Sequence, residues 1–422
     1  MYKKRRSLIQ LIFLSGNGFV PVFASSYNSL SVGHSAYPYW VIGKLPKTEY
    51  PYFEKGNKPF MAPNEKAAFF WCQAALDLIQ KYRLNPLRAS RVLAYMNTAL
   101  HDVGLTFASQ DDETGLLVRH EFCGLRMLQY LFPEESEGGW RLQLELRLKS
   151  YSLDLQQRQL CEQQALRVSD LSVQRAIADR SDPGGAMIQP PQGIAFPWRA
   201  APPLWVSRPV EPFAPRWRTW LVDASIADVT PAPPTVDPVR YQKEIEEVWL
   251  VSKTLTDAQK AIAERWNLDL GTVTPPGVWV KWLLASKTFR ELPTLSQTTV
   301  LSALTTAMQD AFIACWKVKF TWWTERPVTA IHRTLDKNFL PHVVTPAFPA
   351  YVSGHATISG AAATVLASFF PEQKQLLSGM AQEAADSRLY GGIHIRSDNE
   401  EGLKLGIKVG QLCLQKMMEK MT

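Results

Sequence analysis

The stretch Phe348-Pro349-Ala350-Tyr351-Val352-Ser353-Gly354-His355 limits the fold of this chain more than any other. Pro346 and Pro349 keep the backbone extended, so a helix can begin only from about Gly354, where the sequence turns rich in Ala, Gly and Ser. A hydroxyl, flexible N–H groups and an imidazole therefore meet at a helix N-terminus. Unpaired amides and the helix dipole favour an anion there. Capping alone explains most serines in such a place. The meaning of the stretch depends on what else reaches it.

Two flanking segments carry charge. Lys319 and Arg326 stand seven apart before Pro327. At about 100° per residue that spacing returns both cations to one helical face, and Pro327 ends or bends the helix. Downstream come Ser387-Arg388, a Gly391-Gly392 break, then His394 with Asp398 at i+4. On a helix Asp398 reaches an imidazole nitrogen of His394, fixing its tautomer and raising its basicity. Together these segments offer three cations, a Ser/Gly nest and two histidines, one with a carboxylate beside it. A tetrahedral oxyanion needs that set: arginine forks for its oxygens, a lysine point charge, and backbone N–H groups to complete the cradle. Any one segment could be solvated helix charge or a core histidine; three together point to a site.

The pattern Lys-x6-Arg-Pro, then Ser-Gly-His, then Ser-Arg-x5-His-x3-Asp resembles a three-part signature. It is shared by type 2 phosphatidic acid phosphatases, bacterial acid phosphatases and vanadium-dependent haloperoxidases. One departure is Val352, where the family usually has proline before Ser-Gly-His; no functional atom is lost. The resemblance implies that Lys319, Arg326, Ser353, Gly354 and Arg388 bind the oxygens of phosphate or vanadate. It makes His394 the phosphatase nucleophile or the axial ligand of vanadium, His355 the general acid/base, and Asp398 the group that orients His394. The three cations independently match the negative charge such an oxyanion carries in its transition state.

The rest of the chain bounds the class. Its 422 residues, 46% apolar and 20% charged, suffice for one large or two medium globular units. The net charge of +7 is scattered rather than run into basic blocks with interleaved aromatics, which speaks against nucleic acid as a partner. Residues 1–24 read as a signal peptide: Lys3, Lys4, Arg5 and Arg6, a modest apolar stretch, then small residues at Val22-Phe23-Ala24. Arg5-Arg6 also resembles a loose twin-arginine signal, and the expectation is export to the periplasm or beyond. A disordered basic tail is the alternative, because Gly16, Gly18 and Pro21 interrupt the apolar run. No later run of apolar residues is long enough to span a membrane, unlike the membrane-embedded lipid phosphatases. The five cysteines are dispersed and odd in number, so they form neither a disulfide framework nor a metal cluster.

In order, residues 25–62 form an extended Tyr/Pro-rich arm and 63–180 an N-terminal helical half. Residues 181–239 form a Pro/Trp-rich crossover, and 240–422 the C-terminal helical half with the site. Within the first half, Asn64 caps a helix through Arg83, and a second follows Asn85-Pro86 and ends at His101-Asp102. Two more cover 116–132 and 140–180. His101 reads as a satisfied helix-end histidine without a second ligand, and His120 has no chemical signature. The crossover's tryptophans imply that it packs on the body and walls the site entrance. Further helices are expected at 238–251, 257–266, 278–290, 296–323, 355–370, 374–389 and 393–421. In the last of these Gly402, Gly406 and Gly410 form a close-packing stripe. The absence of strand alternation predicts an all-α protein of helical bundles, in two bundle-like halves.

Both chemistries of the resemblance use small-molecule substrates. As a haloperoxidase the chain would carry vanadate on His394 and oxidise halide with hydrogen peroxide, His355 deprotonating peroxide and Lys319 polarising it. As an acid phosphatase it would need no cofactor. His394 would attack a phosphate ester to give a phosphohistidine, and His355 would protonate the leaving group. The long N-terminal half favours the haloperoxidase branch. So do Phe348 and Trp316, which match aromatics at the halide site of fungal chloroperoxidases, although core packing explains either ring as well. Trp266-x2-Asp269 with Pro275-Pro276 is similar to a haloperoxidase segment whose acid lies near a vanadate-binding arginine. That makes Asp269 a partner for Arg388, or else an exposed loop aspartate.

Overall fold

The computed structural model describes residues 66–419, apart from 109–112, 136 and 182–187. The signal peptide, the arm and the Asn64 cap expected from sequence lie outside the described residues. The fold is all-α: α1 Ala67–Lys81, α2 Pro86–Phe107, α3 Glu113–Leu131, α4 Glu137–Leu148, α5 Leu155–Ile177, α6 Pro238–Lys253 and α7 Asp257–Arg265. Then follow α8 Thr274–Ala285, α9 Lys287–Arg290, α10 Thr294–Trp322, α11 Pro327–Thr334, α12 Gly354–Phe369, α13 Lys374–Tyr390 and α14 Arg396–Glu419. Among the described residues the only β-pairings are the isolated bridges Pro197 with Thr324 and Leu270 with Thr272. No helix among them is long and apolar enough to cross a membrane.

Several boundaries follow local chemistry. Asn85 accepts from the amides of Leu87 and Arg88 with Pro86 in the first turn, and Thr256 forms a capping box with Gln259. Others correct the sequence reading. α2 does not stop at His101-Asp102 but runs to Phe107, with both residues buried; packing against its neighbours outweighs their polarity. The expected helix over 140–180 is two, because Asp154 and Gln157 form a capping box that starts α5 afresh. The expected 278–290 helix starts at Thr274 and divides at Ser286, whose hydroxyl caps α9. All five cysteines are buried.

The crossover lies against α10. The Asp310 carboxylate accepts the amides of Trp220 (2.8 Å), Leu221 (2.8 Å) and Val222 (2.9 Å), and the Trp220 indole donates to Gln309 at 2.6 Å. One apolar core runs from Ala67 to Met417. Within it α12 and α14 touch backbone to backbone: a Cβ on Gly406 would fall 1.9 Å from the Thr357 carbonyl oxygen. That contact, with the Ser353 amide donating to the Asp398 carbonyl at 2.8 Å, fixes the start of α12 against the start of α14.

Candidate active site

The long α10 delivers Lys319 in its last turn and then stops. Trp323 takes a left-handed conformation (φ 47°), its amide bonded to Lys319 O at 2.8 Å. Pro327 holds Arg326 extended and opens α11, a helix the sequence reading did not anticipate. Lys319 and Arg326 therefore do not share a helical face, as their spacing suggested. They converge because the same extended strand anchors both. The Phe348 carbonyl accepts Arg326 Nε at 2.9 Å, while the Pro349 and Ala350 carbonyls accept Lys319 Nζ at 2.8 and 2.7 Å. The prolines around 348 thus leave three consecutive carbonyls free for cations, a role their spacing hinted at but did not reveal.

His394 and Asp398 make the expected contact by a different route. His394 precedes α14, which begins at Arg396, so only Asp398 is helical. Its Oδ2 lies 2.8 Å from His394 Nδ1 and also accepts the Ile395 amide at 3.3 Å. A buried carboxylate can only accept here, so the His394 proton sits on Nδ1. Nε2 then offers its lone pair, and Arg326 Nη1 donates to it at 3.0 Å. Arg326 Nη1 also bonds Ile393 O at 2.9 Å, whereas its Nη2 is buried with no partner. Arg388 is held by Ser387 Oγ (2.8 Å) and Ala263 O (3.1 Å).

Ser353 caps α12, accepting the Ala356 amide at 3.4 Å, and a Cβ on the adjacent Gly354 would rest 3.5 Å from Trp316 and Phe312. His355 Nε2 lies 2.9 Å from the Trp266 carbonyl. That carbonyl requires a proton on Nε2 and leaves Nδ1 as a base. Phe348 and Trp316 form an aromatic wall with centroids 4.8 Å apart, and the Lys319 ammonium lies 5.2 and 5.6 Å from them. The Trp316 indole donates to Val210 O at 3.1 Å, tying the wall to the crossover. Asp269 stands apart: it is exposed and bonded to Asn267, and it reaches Arg388 only through its field.

The electrostatics are those of a site built for an anion. Lys319, Arg326 and Arg388 are buried, and among the described residues no carboxylate forms an ion pair with any of them. Burial lowers the Lys319 ammonium from its ordinary value and brings Arg326 and Arg388 down to about 9. His394 is pushed well below the usual imidazole range, first by burial and then by Arg326, Lys319 and Arg388. His355 is lowered likewise by burial, then by Arg388. Burial raises Asp398 against the pull of Lys319 and Arg326. Unpaired buried charge costs several kcal/mol per ion. An oxyanion on the orphaned Arg326 Nη2 and the Lys319 ammonium would remove that cost, so the donor set fits vanadate or phosphate. Sequence reasoning missed Glu325, buried and bonded to Tyr241 at 3.0 Å and to Arg333. Its place directly before Arg326 was the only signal.

Comparison with known proteins agrees. Residues 299–376 and 373–422 match the family described as the VCPO second helical-bundle domain. No curated relative matches the sequence. Among solved structures, the first bacterial vanadium-dependent iodoperoxidase superposes with a TM-score of 0.66 at 23% identity, covering 86% of this chain and 98% of that one. The apo form of a bacterial vanadium-dependent chloroperoxidase gives 0.61 at 14% identity, covering 80% and 95%. The holo form gives 0.58 at 14%, covering 88% and 96%. The fold is that of these vanadium haloperoxidases, and the C-terminal region matches the VCPO second helical-bundle domain. Both findings agree with the superfamily its motifs resemble.

Proposed function

We propose that the chain is a vanadium-dependent haloperoxidase that oxidises halide with hydrogen peroxide. The observation that carries this is the set of three buried cations without a carboxylate ion pair around the unprotonated Nε2 of His394, on a haloperoxidase fold. Vanadate held at that nitrogen would supply a Lewis acid that activates peroxide without changing its own oxidation state. Asp398 keeps the His394 proton on Nδ1, so Nε2 remains a ligand. Lys319, Arg326 and Arg388 neutralise the oxyanion, with the Ser353 hydroxyl and the first-turn amides of α12 completing the cradle. His355, neutral and with its Nε2 proton committed to Trp266, accepts a proton from peroxide at Nδ1. Both histidines are lowered first by burial and then by the surrounding cations, and a bound anion would offset the second of these causes. The aromatic wall of Phe348 and Trp316 shields one side of the cradle from water and suits a polarisable halide. We also read the N-terminus as an export signal.

Bromination of a dione by the purified protein with orthovanadate, peroxide and bromide tests this, run beside aryl phosphate hydrolysis without vanadate. The expected result is vanadate-dependent bromination, lost in both His394→Ala and His355→Ala. Phosphate hydrolysis inhibited by vanadate, with no bromination, would make the chain an acid phosphatase working through a phosphohistidine.

A further inference from the structure

We infer that Glu383, on α13, is a positioning residue that sets both His355 and Arg388 by clamping the end of α7. The Ala263 carbonyl accepts Arg388 Nη2 at 3.1 Å, and the Trp266 carbonyl lies 2.9 Å from His355 Nε2. Between those two carbonyls, Arg265 Nη2 and Trp266 Nε1 donate to the same Glu383 oxygen, at 2.7 and 2.8 Å. The way a helix ends explains the first pair of contacts. The last four carbonyls of an α-helix have no amide ahead of them and carry the negative end of its dipole. α7 stops at Arg265 with Trp266 as its cap, so Ala263 and Trp266 present carbonyls that suit a guanidinium and an imidazole N–H.

Such carbonyls can aim a cation and a proton only if the turn that bears them is itself fixed. The Trp266 ring is buried beside Trp279, with centroids 6.4 Å apart, and Glu383 ties down the guanidinium and the indole next to the carbonyls. Glu383 stands five residues before Arg388 on the same helix. The contacts therefore close a circuit: α13 grips the end of α7 through Glu383, and that end grips α13 through Arg388. The Glu383 carboxylate is partly exposed, and its hydrogen bonds go to Arg265 and Trp266 rather than to the cradle. An acid does serve Arg388 from this segment, but through backbone, and it is not Asp269. The clamp rests on the haloperoxidase reading only for the identity of the anion.

Positioning and charge predict opposite signs. A carboxylate that acted only through its field would repel an anion, and removing its charge would tighten binding. A clamp, once removed, lets His355 and Arg388 drift, and binding weakens. Glu383→Met fills a similar volume without an acceptor, whereas Glu383→Gln keeps an oxygen for both donors. Titration calorimetry with orthovanadate on the full chain, without peroxide or halide, is expected to show about 10-fold weaker binding for Glu383→Met and a loss within ~3-fold for Glu383→Gln. Nitrogen NMR of isotopically labelled histidine rings, without any anion, is expected to find His355 protonated on Nε2 in the parent and in Glu383→Gln. In Glu383→Met the proton is expected to be divided between Nε2 and Nδ1.

Tighter orthovanadate binding by both variants would replace the clamp with a field effect. Parent-like affinity and tautomer in Glu383→Met would overturn it outright, and equal weakening in both variants with His355 unaltered would reduce Glu383 to a structural ion pair. Should Glu383→Met not fold, Glu383→Asp, which keeps the charge on a shorter arm, is read in the same way. Orthovanadate binding without bromination, or no binding by the parent, would sink the haloperoxidase reading instead, and the His355 tautomer would still decide the clamp.

Discussion

Two buried charged clusters in this molecule have opposite characters. In the N-terminal region the Glu121 carboxylate, fully buried, is surrounded by donors. Arg147 reaches it at 2.6 to 3.0 Å, Trp71 Nε1 at 2.8 Å and the Tyr151 hydroxyl at 2.8 Å. Arg147 also lies 4.2 Å from the Phe70 ring centroid. Every charge there is answered from within the chain. In the C-terminal region Lys319, Arg326 and Arg388 are as deeply buried, yet carbonyls, a serine and the His394 imidazole answer them rather than carboxylates. The first arrangement is complete without a ligand and holds α1, α3 and α4 together. The second carries surplus positive charge that only an anion from outside can balance. Burial of charge is common to both; whether the chain supplies the counter-ion separates structure from site.

Activity should show the contrast most strongly. His394→Ala is expected to lower vanadate-dependent turnover by at least ~10³-fold with little change in melting temperature; a collapse of both together would mean that the cradle is part of the structural core. Next in size is a pair of stability measurements. Removing one partner of a buried ion pair leaves the other uncompensated, so Glu121→Ala should cost roughly 3–5 kcal/mol in denaturant unfolding without orthovanadate. Lys319→Met removes a buried charge that has no carboxylate partner and should be neutral or stabilising by about 1 kcal/mol, while orthovanadate affinity falls ~10²-fold. Similar losses of stability in the two variants would erase the distinction between the clusters.

A smaller effect concerns pH. Burial brings His101 down to about 3 and His120 to about 4, against 6.5 in the ordinary state. Below pH 6.5 the unfolded chain therefore takes up protons that the folded chain refuses, and stability falls as pH falls. Each histidine contributes up to about 1.4 kcal/mol per pH unit until its folded value is reached. Asp102, raised well above its usual range by burial, acts with the opposite sign. The clean readout is a difference: between pH 5 and 6.5 the stability slope of His120→Phe should be lower than the parent's by that amount, with or without orthovanadate. An unaltered slope would show that His120 titrates normally in the fold. Smallest is Asp269→Asn, which should change orthovanadate affinity less than ~3-fold, because an exposed carboxylate acting through solvent contributes little. A tenfold loss would return Asp269 to the cradle.

Much of this was legible in the sequence, for identifiable reasons. Asn85-Pro86 is a local signal and opens a helix as read, and the helix expected at 257–266 runs over Asp257–Arg265, started by the capping box of Thr256 with Gln259. The glycine stripe of α14 signalled a close helix contact and makes one, because an added Cβ at Gly406 would meet backbone. The oxyanion set is brought together by residue type and order. Its geometry was less legible. A spacing of seven implied a shared helical face for Lys319 and Arg326, yet the helix unwinds between them, where Trp323 O and Glu325 N bond the crossover at Trp198 and Phe196. Periodicity cannot register a partner more than a hundred residues away.

By itself the sequence determined that the chain is helical and that its C-terminal part carries cations, a capped serine and two histidines, the donor types an oxyanion needs. Those features follow from residue chemistry and short spacings. Only the tertiary structure decided which carbonyls hold Lys319 and Arg326, which nitrogen of each histidine carries the proton, and that the three cations are left without carboxylates. Such facts depend on how distant segments pack, and a charge becomes a binding site only when packing has excluded both water and a counter-ion from it.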